Sequence, residues 1–235
     1  MKIVLIGQGA MGKMVADLAQ NASDEVGQVL TSQHAGETVD QLAGRIKGHD
    51  VAIDFSIGPA VAKHVEASMR AGVPLVEGTT GWKEHEDEVK QLVIEHGGAM
   101  VYGANFSIGV NVFYRIVDRA AALFSRLDQY QPFIEEQHHV RKKDAPSGTA
   151  LKLESLLANH LDGSIPVSST RAGYIPGTHR VGFDSQADQI TLTHTARSRE
   201  GFAAGALLAA RWIVGRQGVY EFSDVIDEVI KKGDG

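Results

Sequence analysis

A chain of 235 residues that is 43% hydrophobic can bury a sizeable core, and its length suits one large or two modest domains. A formal charge of −6 without long basic runs argues against nucleic acid or an anionic membrane surface as a partner, and no stretch approaches the ~18 apolar residues of a membrane span. Cysteine is absent, so no disulfide framework exists, which fits a reducing cytoplasm.

Residues 3–6 form a continuous apolar run, as expected for a strand buried on both faces, and Gly7-Gln8-Gly9-Ala10-Met11-Gly12 interrupts it too early for a signal-peptide core. Met14, Val15, Leu18 and Ala19 then recur with helical spacing. A strand, a Gly-x-Gly-x-x-Gly turn and a helix in that order favour dinucleotide binding over a bare glycine turn. Gly7 allows the tight turn, Gly9 the approach of a pyrophosphate, and Gly12 close packing of helix on strand. The second strand, 26–30, runs into Thr31-Ser32-Gln33-His34. No carboxylate is there to hold a ribose, and the Ser32 hydroxyl with His34 tolerates a 2′-phosphate, so NADH and NADPH are both admissible. An exposed loop histidine is an equal reading of His34.

A third strand is expected at 50–55, with Ser56-Ile57-Gly58-Pro59 capping and starting the next helix. A fourth at 73–76 runs into Gly78-Thr79-Thr80-Gly81, which also suits a cap on the polar helix 82–96. A fifth at 99–102 precedes Gly103-Ala104-Asn105-Phe106. Five strand–helix alternations predict a parallel, doubly wound sheet with ligands at its carboxyl edge.

After Ser107 the pattern changes. A helix over 110–125 is followed by strands at 130–136, 180–185 and 189–196, the last two alternating apolar and polar residues as half-buried antiparallel strands do. This predicts a second, α+β domain on a mixed open sheet. His194 falls on an apolar strand face and reads as a core or interface histidine. Residues 197–206 open a helix to about 214, with Arg199 assigned to a structural salt bridge before a carboxylate contact.

Chemistry is densest at Glu136-Gln137-His138-His139-Val140-Arg141-Lys142-Lys143-Asp144-Ala145-Pro146-Ser147-Gly148-Thr149-Ala150. Helical spacing from Ala150 through Leu157 puts Ser147, Gly148 and Thr149 at a helix's first turn, where free amides and the dipole favour an anion. Histidine exchanges protons near neutrality and Lys142 supplies positive charge, so proton donors stand beside an anion cradle, with a solvated loop as the plain alternative. No spacing supplies the ligands that zinc wants, and no metal is expected.

The pattern from Glu136 to Ala150 resembles the signature of the dihydrodipicolinate (4-hydroxy-tetrahydrodipicolinate) reductase family. The resemblance implies NAD(P)H-dependent reduction of 4-hydroxy-tetrahydrodipicolinate, with loss of water, on the diaminopimelate route to lysine. It makes His138 the principal acid/base, Lys142 a second proton donor, His139 a substrate contact, and Ser147, Gly148 and Thr149 the clamp on a carboxylate of the cyclic dicarboxylate. It makes Gly7, Gln8, Gly9, Ala10, Met11, Gly12 and Ser32, with Gly78, Thr79, Thr80 and Gly103, Ala104, Asn105 and Phe106, the cofactor contacts. It also implies a Rossmann-type domain of residues 1–107 plus about 215–235, a substrate and tetramerisation domain of 108–214, and a cytoplasmic homotetramer. Alternatives are a related dicarboxylate dehydrogenase such as an aspartate dehydrogenase, and a nucleotide-sensing regulator, for which no basic DNA-reading segment is visible.

Overall fold

The computed structural model describes residues 1–232. In chain order the elements are β1 (Lys2–Ile6), α1 (Ala10–Asn21), β2 (Glu25–Leu30), α2 (Val39–Ile46), β3 (Val51–Asp54), α3 (Val61–Ala71), β4 (Leu75–Glu77), α4 (Glu86–Glu95) and β5 (Ala99–Tyr102). Then come α5 (Ile108–Phe124), β6 (Gln131–His138), α6 (Gly148–Ala158), β7 (Val167–Arg171), β8 (Thr178–Asp184), β9 (Gln189–Thr195), α7 (Glu200–Ile213), β10 (Gly218–Glu221) and α8 (Phe222–Lys232). The chain forms two compact units, one of residues 1–108 together with 199–232, the other of 109–198.

The first unit is a six-stranded parallel sheet in the order β10-β5-β4-β3-β1-β2. Helices cover it, so β1 and β3 are apolar on both faces, which is why their sequences read as unbroken runs. Leu42, Ile46, Val65, Leu75 and Met100 lie in one buried cluster. Residues 58–60 form a tight 3-10 turn ahead of α3, with Pro59 in its first turn and Ile57 at the capping position. Ser56, expected to cap, instead turns its amide to the Asp54 carboxylate at 2.8 Å.

α7 belongs to this unit, packing on α1 and β4. The boundary expected at about 215 therefore falls at Arg199, and residues 233–235 of the expected range lie outside those described. Small residues explain the placement: a Cβ at Gly205 would meet the Phe106 carbonyl oxygen at 1.8 Å, so only glycine lets helix and loop approach. β10, which the sequence pattern did not reveal, adds to the free edge of β5. α2 was also missed, although Thr38 and Gln41 close a capping box at its start.

The second unit is a mixed sheet, β7-β6-β8-β9, in which β6 and β7 are parallel and the β6–β8 and β8–β9 pairs antiparallel. α5 and α6 close one face over Phe113, Val117, Ile134, Leu153, Val181 and Phe183. β7 is a polar edge strand of Val-Ser-Ser-Thr-Arg and carried no apolar signal. Register sets the neighbours of the polar residues: Glu136 on the central strand lies beside His179 of β8, and His138 beside Arg171 of β7. Glu136 and His138, two residues apart, share the inner face with Ile134. Among the described residues no helix is long and apolar enough to cross a membrane.

Candidate active site

The glycine turn of the first unit has the shape its spacing implied. Gly7 has φ +97°, and a Cβ there would meet the Phe55 carbonyl oxygen at 2.4 Å; one at Gly12 would meet Gly7 O at 2.1 Å. A Cβ at Gly9 would have open space, and Gly9 caps α1 without any side-chain acceptor for its first amides. A dinucleotide pyrophosphate fits this cradle of free N–H groups at a helix dipole's positive end. Gly78, Thr79 and Thr80 follow β4, Gly103 to Phe106 follow β5, and Ser32 follows β2, all at the same carboxyl edge of the sheet. Phe106 is 2% exposed and packs its ring on Phe55 and Phe222, so it can offer a ligand only backbone. His34 closes the 31–34 turn, its Nδ1 accepting from Thr31 N at 3.0 Å; that is a capping role, whatever its other nitrogen contacts.

In the second unit the residues of the His-Lys stretch meet partners that the sequence did not suggest. Buried Glu136 accepts from Arg171 on Oε1 at 2.7 Å and from His138 Nδ1 on Oε2 at 2.5 Å. With Nδ1 held by a carboxylate, His138 presents Nε2 for proton exchange. Gly177, with φ +127°, leaves room there, since a Cβ would lie 3.2 Å from that nitrogen. Arg171 also donates to the Asp144 carbonyl at 2.6 Å, tying the loop after β6 to β7. Lys142, a quarter exposed, pairs with the Asp144 carboxylate at 2.9 Å.

Ser147 caps α6: its hydroxyl accepts from Ala150 N at 3.2 Å and lies 2.9 Å from His179 Nε2. The Ser147 side chain is thus buried and committed, leaving backbone for a ligand, while Gly148 is exposed and has free space where a Cβ would point. Thr149 is half-buried near the Tyr114 side chain of α5. The His179 ring stands edge-on to His138, centroids 5.1 Å apart, so the acid/base candidate and the cap of α6 are linked by one ring contact. His139 is half-buried with Nδ1 lacking a protein partner.

The charges are arranged consistently. Burial alone would raise the Glu136 carboxyl, but hydrogen bonds from Arg171, Ser169 and His138 outweigh it and bring it down to about 2. Burial pushes His138 below the ordinary histidine value, against the upward pull of Glu136 and with the help of Lys142 and Arg171. Burial takes His179 down to about 4, so it is neutral at physiological pH. Glu136, His138 and His179 bring one donor atom each within 4.8 Å of the others, the spacing of a metal site. However, both Glu136 oxygens are taken, and a guanidinium 2.7 Å away opposes a second cation; the cluster is an ion-pair network.

His194 lies half-buried on Phe113 at 5.9 Å, and its Nδ1 has no protein partner, so it is a core histidine but not a fully satisfied one. Arg199 is exposed at the start of α7, and among the described residues no salt bridge to it is found. Arg171 and His179 were the residues missed. Their signal is positional, a basic residue at the end of a polar strand and a histidine on a buried face, and only the strand register makes it readable.

A glycine cradle at the edge of a parallel sheet, with a separate unit carrying a carboxylate-oriented histidine beside a helix N-terminus, defines a nicotinamide-dependent oxidoreductase. Family models agree: residues 1–106 match the dihydrodipicolinate reductase N-terminus and 109–226 its C-terminus. The chain is similar to the 4-hydroxy-tetrahydrodipicolinate reductase of Christiangramia forsetii, 34% identical over 250 residues covering 98% of this chain and 100% of that one. It is 33% identical to that of Archaeoglobus fulgidus over 261 residues, 97% and 100% of the two chains. A dipicolinate-bound dihydrodipicolinate reductase from Paenisporosarcina sp. TG-14 shares the fold, with a TM-score of 0.76 at 22% identity over 94% of this chain and 97% of that one. The chain belongs to the dihydrodipicolinate reductase family.

Proposed function

We propose that the protein reduces 4-hydroxy-tetrahydrodipicolinate to tetrahydrodipicolinate with NADH or NADPH, one proton being consumed and one water lost, in lysine biosynthesis by the diaminopimelate route. The observation that carries this reading is the buried Glu136 on His138 Nδ1, which aims Nε2 outward from the strand that precedes the serine-capped N-terminus of α6. When bound, the nicotinamide supplies hydride; the first unit's part is to hold it through Gly7, Gln8, Gly9, Ala10, Met11, Gly12, Ser32, Gly78, Thr79, Thr80 and the backbone of Gly103, Ala104, Asn105 and Phe106.

The second unit binds the cyclic dicarboxylate. The Gly148 and Thr149 amides and Lys142 bind one carboxylate, and His139 adds a contact from the end of β6. For Lys142 and the Gly148 amide this means exchanging the Asp144 carboxylate for a substrate carboxylate, one anion for another. His138 is neutral in the free protein, and a dianion arriving beside it draws a proton onto the ring. The imidazolium then donates from Nε2 as the unsaturated ring is reduced, with Glu136 holding the opposite nitrogen. Lys142 is the second donor, to the hydroxyl that leaves as water; the ring proton released in that elimination keeps the net uptake at one. The dipicolinate carried by the Paenisporosarcina protein is the planar analogue of such a substrate.

We further propose a cytoplasmic homotetramer assembled through the second unit's sheet. The outer strand β9 supports this, since it exposes Ile190 together with a row of threonines. The test of function is to generate substrate from pyruvate and aspartate semialdehyde with a dihydrodipicolinate synthase and follow NAD(P)H absorbance. Oxidation dependent on all components is expected; none with either cofactor, or turnover with L-aspartate instead, overturns the reading.

A further inference from the structure

Two acids without a part in this scheme sit at the ends of β3 and β4. Asp54 and Glu77 are register partners in a parallel pair, so their side chains leave one face of the sheet side by side, and both are fully buried. Asp54 is well supplied with donors: Ser56 N at 2.8 Å and the Thr79 hydroxyl at 3.3 Å on Oδ1, and His64 Nδ1 at 2.7 Å on Oδ2. Glu77 has the Thr79 amide on Oε1 at 2.7 Å, while its Oε2 is buried and finds no donor. Two ionised carboxylates cannot stay side by side in a dry site, whereas one proton between them replaces repulsion with a hydrogen bond and gives Oε2 its partner. Burial and the Asp54 charge accordingly push the Glu77 carboxyl well above the ordinary range.

We propose that Glu77 is a positioning residue for the cofactor loop: protonated, it donates from Oε2 to Asp54 and accepts the Thr79 amide on Oε1, tying the Gly78-Thr79-Thr80-Gly81 turn to the end of β3. The inference rests on reading Thr79 and Thr80 as nicotinamide-cofactor contacts. The ring closes through Thr79, whose hydroxyl donates to Asp54 and accepts from Ser56 N at 3.0 Å, and Trp82 pins the same residue by donating to its carbonyl at 2.8 Å. The other titratable groups nearby are His64 of α3, engaged with Asp54, and Tyr102 of β5, register neighbour of Glu77, whose hydroxyl donates to Glu221 while Lys90 stands over its ring. Neither supplies a donor to Oε2.

A carboxyl whose value is raised by folding contributes stability below its ordinary value and loses it as pH climbs toward the folded value, so the shared proton makes the fold weaker at high pH. The full-length protein is compared with Glu77→Gln, which keeps one donor and one acceptor, and Glu77→Leu, which keeps only size. The readouts are NADH dissociation constant by fluorescence, dipicolinate binding, and thermal midpoint over pH 6 to 9. Glu77→Gln should bind NADH within about threefold of wild type and lose the decline in midpoint with rising pH. Glu77→Leu should weaken NADH about tenfold, the loss of one hydrogen bond to a buried amide, with dipicolinate binding unchanged. Glu77→Gln as poor as Glu77→Leu, or Glu77→Leu binding NADH like wild type, overturns the proposal. If wild type binds neither nicotinamide, the functional reading fails and the loop role with it; a flat midpoint profile in Glu77→Gln alone would still establish the shared proton.

Discussion

At the residue scale the site is a histidine with one nitrogen committed and the other free. His138→Gln keeps polarity and reach but cannot titrate, so kcat should fall by roughly 10²–10⁴ with KM less affected. Lys142→Arg keeps the charge on a group that releases no proton near neutrality. It should retain dipicolinate binding and lose turnover; steady-state constants from pH 6 to 9 check both, and full activity in Lys142→Arg would reduce that residue to an anchor. His138 and Lys142 stand out as candidates in the sequence because their residue types are informative wherever they stand. Arg171 and His179 were not, since an arginine ending a serine-threonine strand says nothing until β7 lies against β6.

At the scale of elements, α6 begins with a serine cap followed by an exposed glycine. Gly148→Asp would put a negative charge where the proposed function places a substrate carboxylate, and it should raise substrate KM by about tenfold or more while leaving NADH affinity near wild type. Weakened NADH binding alone would assign the helix to the wrong ligand. The turn after β2 carries no carboxylate from Thr31 to His34, so NADH and NADPH should both serve. Because one charge-assisted contact is worth about 1.5–3 kcal/mol, a kcat/KM preference beyond a thousandfold would contradict this. Elements whose sequences announce them are β1 and β3, buried on both faces, and β8, which buries Val181 and Phe183; β9 alternates apolar and polar residues as expected, yet its Ile190 is exposed and Leu192 only partly buried. β7 and β10 escaped because an edge strand is specified by its neighbour's unpaired backbone more than by its own side chains.

For the whole molecule, buried ionisable groups set the response to acid. His179 is neutral in the fold, and between its ordinary 6.5 and about 4 the unfolded chain binds the extra proton, so stability falls as pH falls through that window. The loss is on the order of 2–3 kcal/mol, with His138 and His194, also lowered by burial, adding to the slope. Glu136 extends it from 4.5 toward about 2 as its ion pair is protonated. His179→Gln should make urea midpoints measured at pH 7 and pH 4.5 converge; an unchanged difference would place the acid sensitivity elsewhere.

β10 has a consequence for synthesis. The edge of β5 is complete only when residues 218–221 pair with it, and the whole second unit is encoded in between. On the ribosome the sheet must therefore wait with an open, hydrogen-bond-hungry border until residues 218–221 have emerged, by which time the second unit has had time to fold. A nascent chain arrested before residue 218 would carry that border into the cell as a template for pairing with other chains, so interrupted translation is the step at which this molecule is most exposed to aggregation.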